Sequence, residues 1–196
     1  GCFIDAQFDL QYQSQLAAEV TELFCLFRSP ATGLARATFG LFSGKAITTS
    51  WYSDHRMQAW VDRTQPNCNA VFVSSAAMAQ YIAHPTYSQP HVIDLVDVDS
   101  DKWQQYAQNA AWFKRWIFQR EATLISALEV KTAKSFDHLT LVSQSEADFF
   151  HQLHPQVPSA KIHGISNGVD TDFFDTTRVD AANQQIVPGR IVFTGE

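Results

Sequence analysis

The stretch LVSQSEADFFHQLHPQVPSAKIHGISNGVDTDFFD, from Leu141 to Asp175, joins two apolar runs through a polar segment of helical character, then turns at Asn167-Gly168-Val169-Asp170. Its order is strand, helix, strand, turn. Ser143 and Glu146 stand three apart at the predicted helix start. That is the spacing of a capping box, in which hydroxyl and carboxylate satisfy orphan amides reciprocally. Beyond the turn the chain is polar and weakly periodic up to Pro188-Gly189, which reads as a linker. RIVFTG at 190–195 then reads as the first strand of a further domain.

Upstream, apolar runs of strand length recur: CFI near the start, ELFCLFR at 22–28, AVFVSS at 70–75, HVIDLV at 91–96 and HLTLVS at 138–143. They are continuous rather than alternating, the pattern of strands covered on both faces in a parallel sheet. Helical segments separate them. Ser53 to Gln65 places Met57, Trp60 and Val61 on one face, and Ala76 to Ala83 reads as a short helix. One long helix is expected from Asp101 to Phe136, with Phe113, Ile117, Leu124 and Leu128 as its apolar stripe. Strands alternating with helices predict an α/β fold with a Rossmann-like, doubly wound, mostly parallel sheet.

The totals exclude several classes. A chain of 196 residues with 45% hydrophobic and 17% charged residues suits one globular core. A net charge of −6 argues against nucleic acid or an anionic membrane as the general partner. Cys2, Cys25 and Cys68 lie far apart with no C-x-x-C spacing, a sparse odd set that fits a reducing compartment. No run approaches the roughly 20 apolar residues of a membrane span, and no signal peptide is visible. Because CFI follows Gly1 directly with no Met, the chain is expected to be cut at its N-terminus, as the strand at 190–195 suggests for its other end.

In open parallel sheets ligands bind beyond the carboxyl ends of the strands. This selects Ser74 and Ser75, the acidic run Asp94, Asp97, Asp99 and Asp101, Ser143 and Ser145, and Asn167 with Gly168. Crowded carboxylates raise one another's pKa and can activate a hydroxyl. A calcium loop is ruled out, because Lys102 stands where that loop needs Gly and Gln108 where it needs Glu. A D-x-D arrangement for a nucleotide-bound divalent ion remains open. So does the structural alternative, in which Asp99 or Ser100 caps the following helix and acids favour its dipole. His151 and His154 are three apart, with no third metal ligand near, and read as a solvated pair. Trp103, Tyr106, Trp112, Phe113, Trp116 and Phe118 cover more than one helix face, as core or as a patch for a partner or lipid interface. Neither a G-x-G-x-x-G nor a Walker sequence occurs.

Val142, Ser143 and Glu146 in VSQSEADFF, followed by Asn167, Gly168, Val169, Asp170 and Phe174 in ISNGVDTDFFD, resemble retaining glycosyltransferases of family 4, of GT-B architecture. VFVSSAAMAQYI (71–82) and VIDLVDVDSDKWQQYA (92–107) resemble a narrower group, the sugar transferases of PEP-CTERM/exosortase exopolysaccharide systems. The resemblance implies an N-terminal, acceptor-side domain over 1–168 that lacks its first strand and Gly-rich loop. It further implies an interdomain linker over 169–189, and at 190–196 the first strand of a C-terminal domain that holds the nucleotide-sugar. By this resemblance Asp97, with Asp99 beside it, falls where many members carry a His or Asp facing the reacting sugar. The commoner residue there is His, so this chain departs from the pattern. Ser74, Ser75, Ser143, Ser145, Asn167 and Gly168 would contact substrate.

The implied function is hexosyl transfer from a nucleotide-sugar donor to a glycan or lipid-linked acceptor in bacterial exopolysaccharide biosynthesis. No catalytic metal and no cofactor beyond the donor co-substrate are implied, and the 196-residue piece alone is expected to be inactive. The expected location is cytoplasmic, with peripheral contact to the inner face of the cell membrane as a further candidate. Two other readings stay open at this point. One is a non-enzymatic α/β module binding a small ligand or a protein; the other is a metal-dependent transferase using Asp97-Val98-Asp99.

Overall fold

The apolar runs become short parallel strands. In the computed structural model, which describes residues 1–82, 89–175 and 189, β1 (Cys2–Ile4) pairs with β2 (Cys25–Phe27) in one two-stranded sheet. A second sheet has the order β3 (Val71–Ser74), β4 (His91–Val96), β5 (His138–Leu141), β6 (Ile162–Gly164). Every pairing is parallel. The predicted strand at 190–195 lies outside the described residues. The chain divides into two compact units, Gly1–Ser166 and Asn167–Glu196.

Between the strands run α1 (Gln13–Glu19), α2 (Pro30–Phe42), α3 (Ile47–Trp51), α4 (His55–Thr64), α5 (Asp99–Gln108), α6 (Trp112–Ser135) and α7 (Gln144–Leu153). The protein is therefore α/β, compatible with a Rossmann-like fold. No described helix is long and apolar enough to cross a membrane. The larger core forms where Ile93, Leu139 and Leu141 of the central strands meet Ala133 and Phe136 from the end of α6, Ala147 and Phe150 of α7, and Val157. A smaller core gathers Leu26, Met57, Val61 and Tyr81, with Phe3, Phe24 and Trp60 packed against it. Met78 and Ile82 touch both.

Several expectations need correction. Burial on both faces holds for the middle of the four-stranded sheet, but in β3 only the face carrying Val73 is buried, and Phe72 on the opposite face is 67% exposed. The long helix is two helices, broken at 109–111. The break lets α5 fold back along α6, and Trp103 and Tyr106 then pack on Phe118, with ring centroids 5.6 and 6.2 Å apart. Tyr106 stays half-exposed and Trp103 and Phe118 half-buried, so these are ring-on-ring contacts at the surface of the α5–α6 pair.

The buried stripe of α6 is Glu121, Ala122, Ile125, Glu129, Thr132 and Ala133, offset from the predicted one; Phe113 is exposed. Two of its members are carboxylates, which a search for apolar periodicity passes over. Both cap other helices. Glu121 accepts from the N–H of Ile47 (2.8 Å) and Thr48 (2.9 Å) at the start of α3. Glu129 accepts from the Ser100 N–H (3.0 Å) and hydroxyl (2.6 Å) in the first turn of α5. These contacts satisfy helix-terminal amides that lack partners within their own helix.

His154 is buried rather than solvated, its Nε2 lying 3.3 Å from Glu129 Oε2. Of the segment from Ala76 to Ala83, only a 3₁₀ turn at Met78–Tyr81 forms, and residue 83 lies outside the described set. Although far apart in sequence, Cys2 and Cys25 are register partners across β1 and β2, with sulfurs 3.2 Å apart. Neither 5–21 nor 29–52 carries an apolar run or stripe that predicts an element, yet α1, α2 and α3 lie there. α2 begins with Ser29 as N-cap and Pro30 in the first turn, a start signal carried by the Ser29-Pro30 pair itself.

Candidate functional site

All four strands of the larger sheet run the same way, so their carboxyl ends share one edge. Along that edge stand two non-glycine residues with positive φ, Ser75 (76°) and Val96 (68°). A β-branched residue in this region is strained, at a cost of about 1–3 kcal/mol. At Val96 the cause is visible. The register of β4 against β5 shifts between Asp94 and Val96, leaving Leu95 as an extra residue. The Asp97 N–H then closes back on the Leu95 carbonyl at 2.9 Å. An i to i+2 bond around a positive-φ residue is a γ-turn of the rarer, strained kind. Asp94 helps to hold it: its Oδ1 accepts from the Val96 N–H (3.3 Å) and from the Thr140 hydroxyl (2.8 Å).

The turn delivers Asp97 to the strand edge with its side chain 44% exposed. Lys102, one turn into α5, bridges Asp97 Oδ2 (3.3 Å) and Asp99 Oδ1 (3.4 Å). Burial pushes the Asp99 carboxyl up, outweighing the opposing pull of Lys102. Burial alone would lower the Lys102 ammonium, but Asp99 and Asp97 together raise it. Of the helix-cap alternative only the dipole half forms, with Asp99 and Asp101 in the first turn of α5. Val98 is the N-cap of α5, without a side-chain cap bond, and Ser100 is taken up by Glu129.

Ser143 and Ser145 come together at the start of α7, with hydroxyl oxygens 2.8 Å apart, and Ser143 Oγ accepts from the Glu146 N–H at 3.1 Å. Only this half of the expected capping box is present. The Glu146 carboxylate reaches across instead and accepts from the Val98 N–H at 3.3 Å. It thereby ties the Asp97 loop to the N-terminus of α7. Gly164 lets β6 pass close beneath: a Cβ there would sit 2.5 Å from the Gln144 backbone.

Ser75 donates its N–H to the Asp94 carbonyl (2.7 Å), while its hydroxyl accepts from the Ala77 N–H (3.3 Å). Ser74 lines a separate cavity together with Asp5 and Tyr52. Asn167 and Gly168 are exposed and belong to the second unit, where Asp170 Oδ1 accepts from the N–H of Asp172 (3.0 Å) and Phe173 (2.9 Å). Among the described residues no three His, Cys, Asp or Glu converge in metal-holding geometry.

The structure thus groups Asp97, Asp99, Ser143 and Ser145 and adds Val96, Lys102 and Glu146. Lys102 had served only to reject a calcium loop. Its i to i+3 spacing from Asp99 was the available signal. Chemically, the group offers a carboxylate held by an ammonium, a neighbouring carboxyl that keeps its proton more readily than usual, and hydroxyls at a helix N-terminus. That set suits a ligand rich in hydroxyls. No protein-family model matches the chain, and no curated protein matches it either.

Proposed function

We propose that the chain is the acceptor-side half of a retaining glycosyltransferase of GT-B architecture, acting in bacterial exopolysaccharide assembly. The observation that carries this reading is the strained turn at Val96, which spends conformational energy to present Asp97 at the strand edge. Asp97 orients the acceptor hydroxyl and draws on its proton as the sugar arrives, with Lys102 holding the carboxylate in place. Ser143, Ser145 and the α7 amides receive the sugar hydroxyls. The nucleotide-sugar donor is gripped by a C-terminal domain beyond the Asn167-Gly168 crossing. No catalytic metal takes part.

The acceptor is lipid-linked, and the protein meets the inner face of the cytoplasmic membrane peripherally. Support comes from the start of α6, where Trp112 (83% exposed), Phe113 and Trp116 stand among Lys114 and Arg115. Arg120 of the same helix donates to the Gly40 and Lys45 carbonyls (3.4 and 3.1 Å), which brings exposed Phe39 and Phe42 alongside. Aromatic rings mixed with basic residues suit an anionic headgroup layer.

The test is a panel of nucleotide-sugar donors against the full-length enzyme with lipid-linked acceptors. Asp97→Asn should lower turnover by about 10²–10⁴-fold, the usual worth of a positioned proton acceptor, with an unchanged melting temperature. Near-normal turnover removes Asp97 from the mechanism.

A further inference from the structure

The chain carries a net charge of −6, yet positive side chains gather along α2. Arg28 before that helix, Arg36 within it and Arg56 of α4 all lie against one oxygen, Asp54 Oδ2, at 3.5, 3.4 and 3.1 Å. Past the other end of α2, Arg120 bonds the Gly40 and Lys45 carbonyls and pairs with Glu121 at 3.9 Å. Asp54 and Glu121 are both fully buried and already accept backbone N–H bonds, from Arg56 and from Ile47 and Thr48. These inward carboxylates leave the positive side chains around them in excess. Arg28, itself buried, has an Nε without a hydrogen-bond partner among the described residues. Burial, and then the nearby Arg36, push its guanidinium below the ordinary value.

Between α2, α3 and the turn at Met78–Tyr81 lies a cavity of about 580 Å³, with Arg36, Phe39, Lys45, Thr49, Ser53 and Gln80 on its lining. Among the described residues no Asp or Glu lines it. Its walls are fixed by close packing. A Cβ on Gly33 would strike the Trp51 ring, and one on Gly40 the Ser50 side chain, so α2 and α3 lie in direct contact. The Gln80 amide donates to the Thr49 and Ala77 carbonyls (3.1 and 2.7 Å), which ties the turn to α3. The donors on the lining are largely unspent. Among the described residues the Arg36 side chain bonds only Asp54, at 3.4 Å, while the Lys45 ammonium and the Thr49 and Ser53 hydroxyls bond nothing.

A cavity that offers cations and hydroxyls, and no carboxylate, selects an anion with several acceptor oxygens. A guanidinium forks two oxygens of a phosphoryl group, and a lysine ammonium adds a point charge. We propose that this cavity binds a phosphate ester, its phosphoryl group held by Arg36 and Lys45 with the Thr49 and Ser53 hydroxyls, and its organic portion against Phe39. The volume is that of a site for an organic ligand and far more than an inorganic phosphate fills. Exposed Phe39, with exposed Phe42 one turn on along α2, gives the organic portion an apolar surface. The ester comes from solution or as the headgroup of a lipid, because the Arg120 bonds set Lys45 beside the aromatic and basic face at the start of α6. None of these residues takes part in the transfer proposed at Asp97, and the site stands or falls without that reaction.

The experiment is amide NMR on the 196-residue protein, titrated separately with three probes. Phenyl phosphate is the soluble ester, dihexanoyl phosphatidic acid below its micelle concentration is the lipid headgroup, and benzoate is the carboxylate control. The Phe39, Thr49 and Ser53 signals should shift saturably with a phosphate and not with benzoate. Tighter binding of phenyl phosphate identifies a soluble ester, tighter binding of the phosphatidic acid a lipid, and equal binding admits both; each result supports the site. Lys45→Gln removes an exposed charge whose ammonium bonds nothing among the described residues. It should weaken binding by about tenfold at an unchanged melting temperature. Arg36→Gln should weaken binding at least as far; if it unfolds, because it also releases Asp54, Lys45→Gln decides alone. The proposal is overturned if neither phosphate shifts the three signals, if benzoate shifts them equally, or if Lys45→Gln binds as tightly as wild type.

Discussion

Val96 and Asp54 are the residues at which local cost and local charge are greatest. Val96 keeps a left-handed backbone, φ 68°, that glycine would adopt freely. Val96→Gly should therefore raise stability by up to about 1–3 kcal/mol, the strain released, less what glycine's added freedom in the unfolded chain returns. Calorimetry checks the gain, and under the proposed function turnover should fall as Asp97 loses its fixed position. Asp54 is fully buried and faces three guanidiniums, Arg56 at 3.1 Å, Arg36 at 3.4 Å and Arg28 at 3.5 Å.

Hydrogen bonds from Arg56 hold the Asp54 carboxyl well below the usual carboxylate range, against the opposing effect of burial. A depressed carboxyl contributes stability that is complete above its unfolded pKa, about 3.9, and is lost as pH falls toward the folded value. Acid titration of wild type should show this loss, and Asp54→Asn should abolish that part of the pH dependence. The same variant should be destabilised at neutral pH by about 3–5 kcal/mol, because the buried guanidinium of Arg28 keeps its charge without its counter-ion. Urea unfolding at about pH 2 and about pH 7 distinguishes the two effects, since the titrating part is lost only below the unfolded pKa.

At the scale of elements, legibility depended on whether a signal was local. HVIDLV became β4 at the residues read, because a short continuous apolar run needs only its immediate sequence. The break at 109–111 was not legible. Nothing in Asn109-Ala110-Ala111 forbids a helix, and the contacts of Trp103 and Tyr106 with Phe118 exist only once the chain has reversed. Likewise Glu146 stood at the right spacing for a capping box, and a partner from another loop, the Val98 N–H, claimed its carboxylate. The candidate site was legible as a set of strand ends and their acids. The strain at Val96 was not, since it arises from a register shift between two strands. Gly164 shows the same dependence on tertiary contact. Gly164→Ala places its Cβ 2.5 Å from the Gln144 backbone, too close for either chain to yield cheaply. The expected cost is about 1–3 kcal/mol, read as a lower melting temperature, with α7 displaced from β6.

For the whole Gly1–Ser166 unit, two cores of unequal size meet at Met78 and Ile82. The larger holds the central strands and the candidate site; the smaller holds β1, β2 and α4. A core residue such as Leu139, wholly buried in the larger cluster, should cost about 2–5 kcal/mol on truncation to Ala. Chemical denaturation measures it. The smaller cluster has less apolar surface to lose, and Met78 and Ile82, partly buried in both, are the apolar side chains that the two clusters share, beside the polar Gln65–His91 contact.

That narrow junction has a consequence for how the protein comes apart. Opening need not be all-or-none: the region around β1, β2 and α4 can detach as a separate foldon while β4, β5 and α7 stay closed. Native-state exchange in low denaturant should show two tiers, with the Leu26 and Val61 amides sharing a lower opening free energy than Ile93 and Phe150. Met78→Ala should widen the gap between the tiers; a single merged tier would show that the junction carries full cooperativity. A protease added under native conditions would then cut first in the N-terminal third, leaving the Asp97 edge intact on the surviving piece.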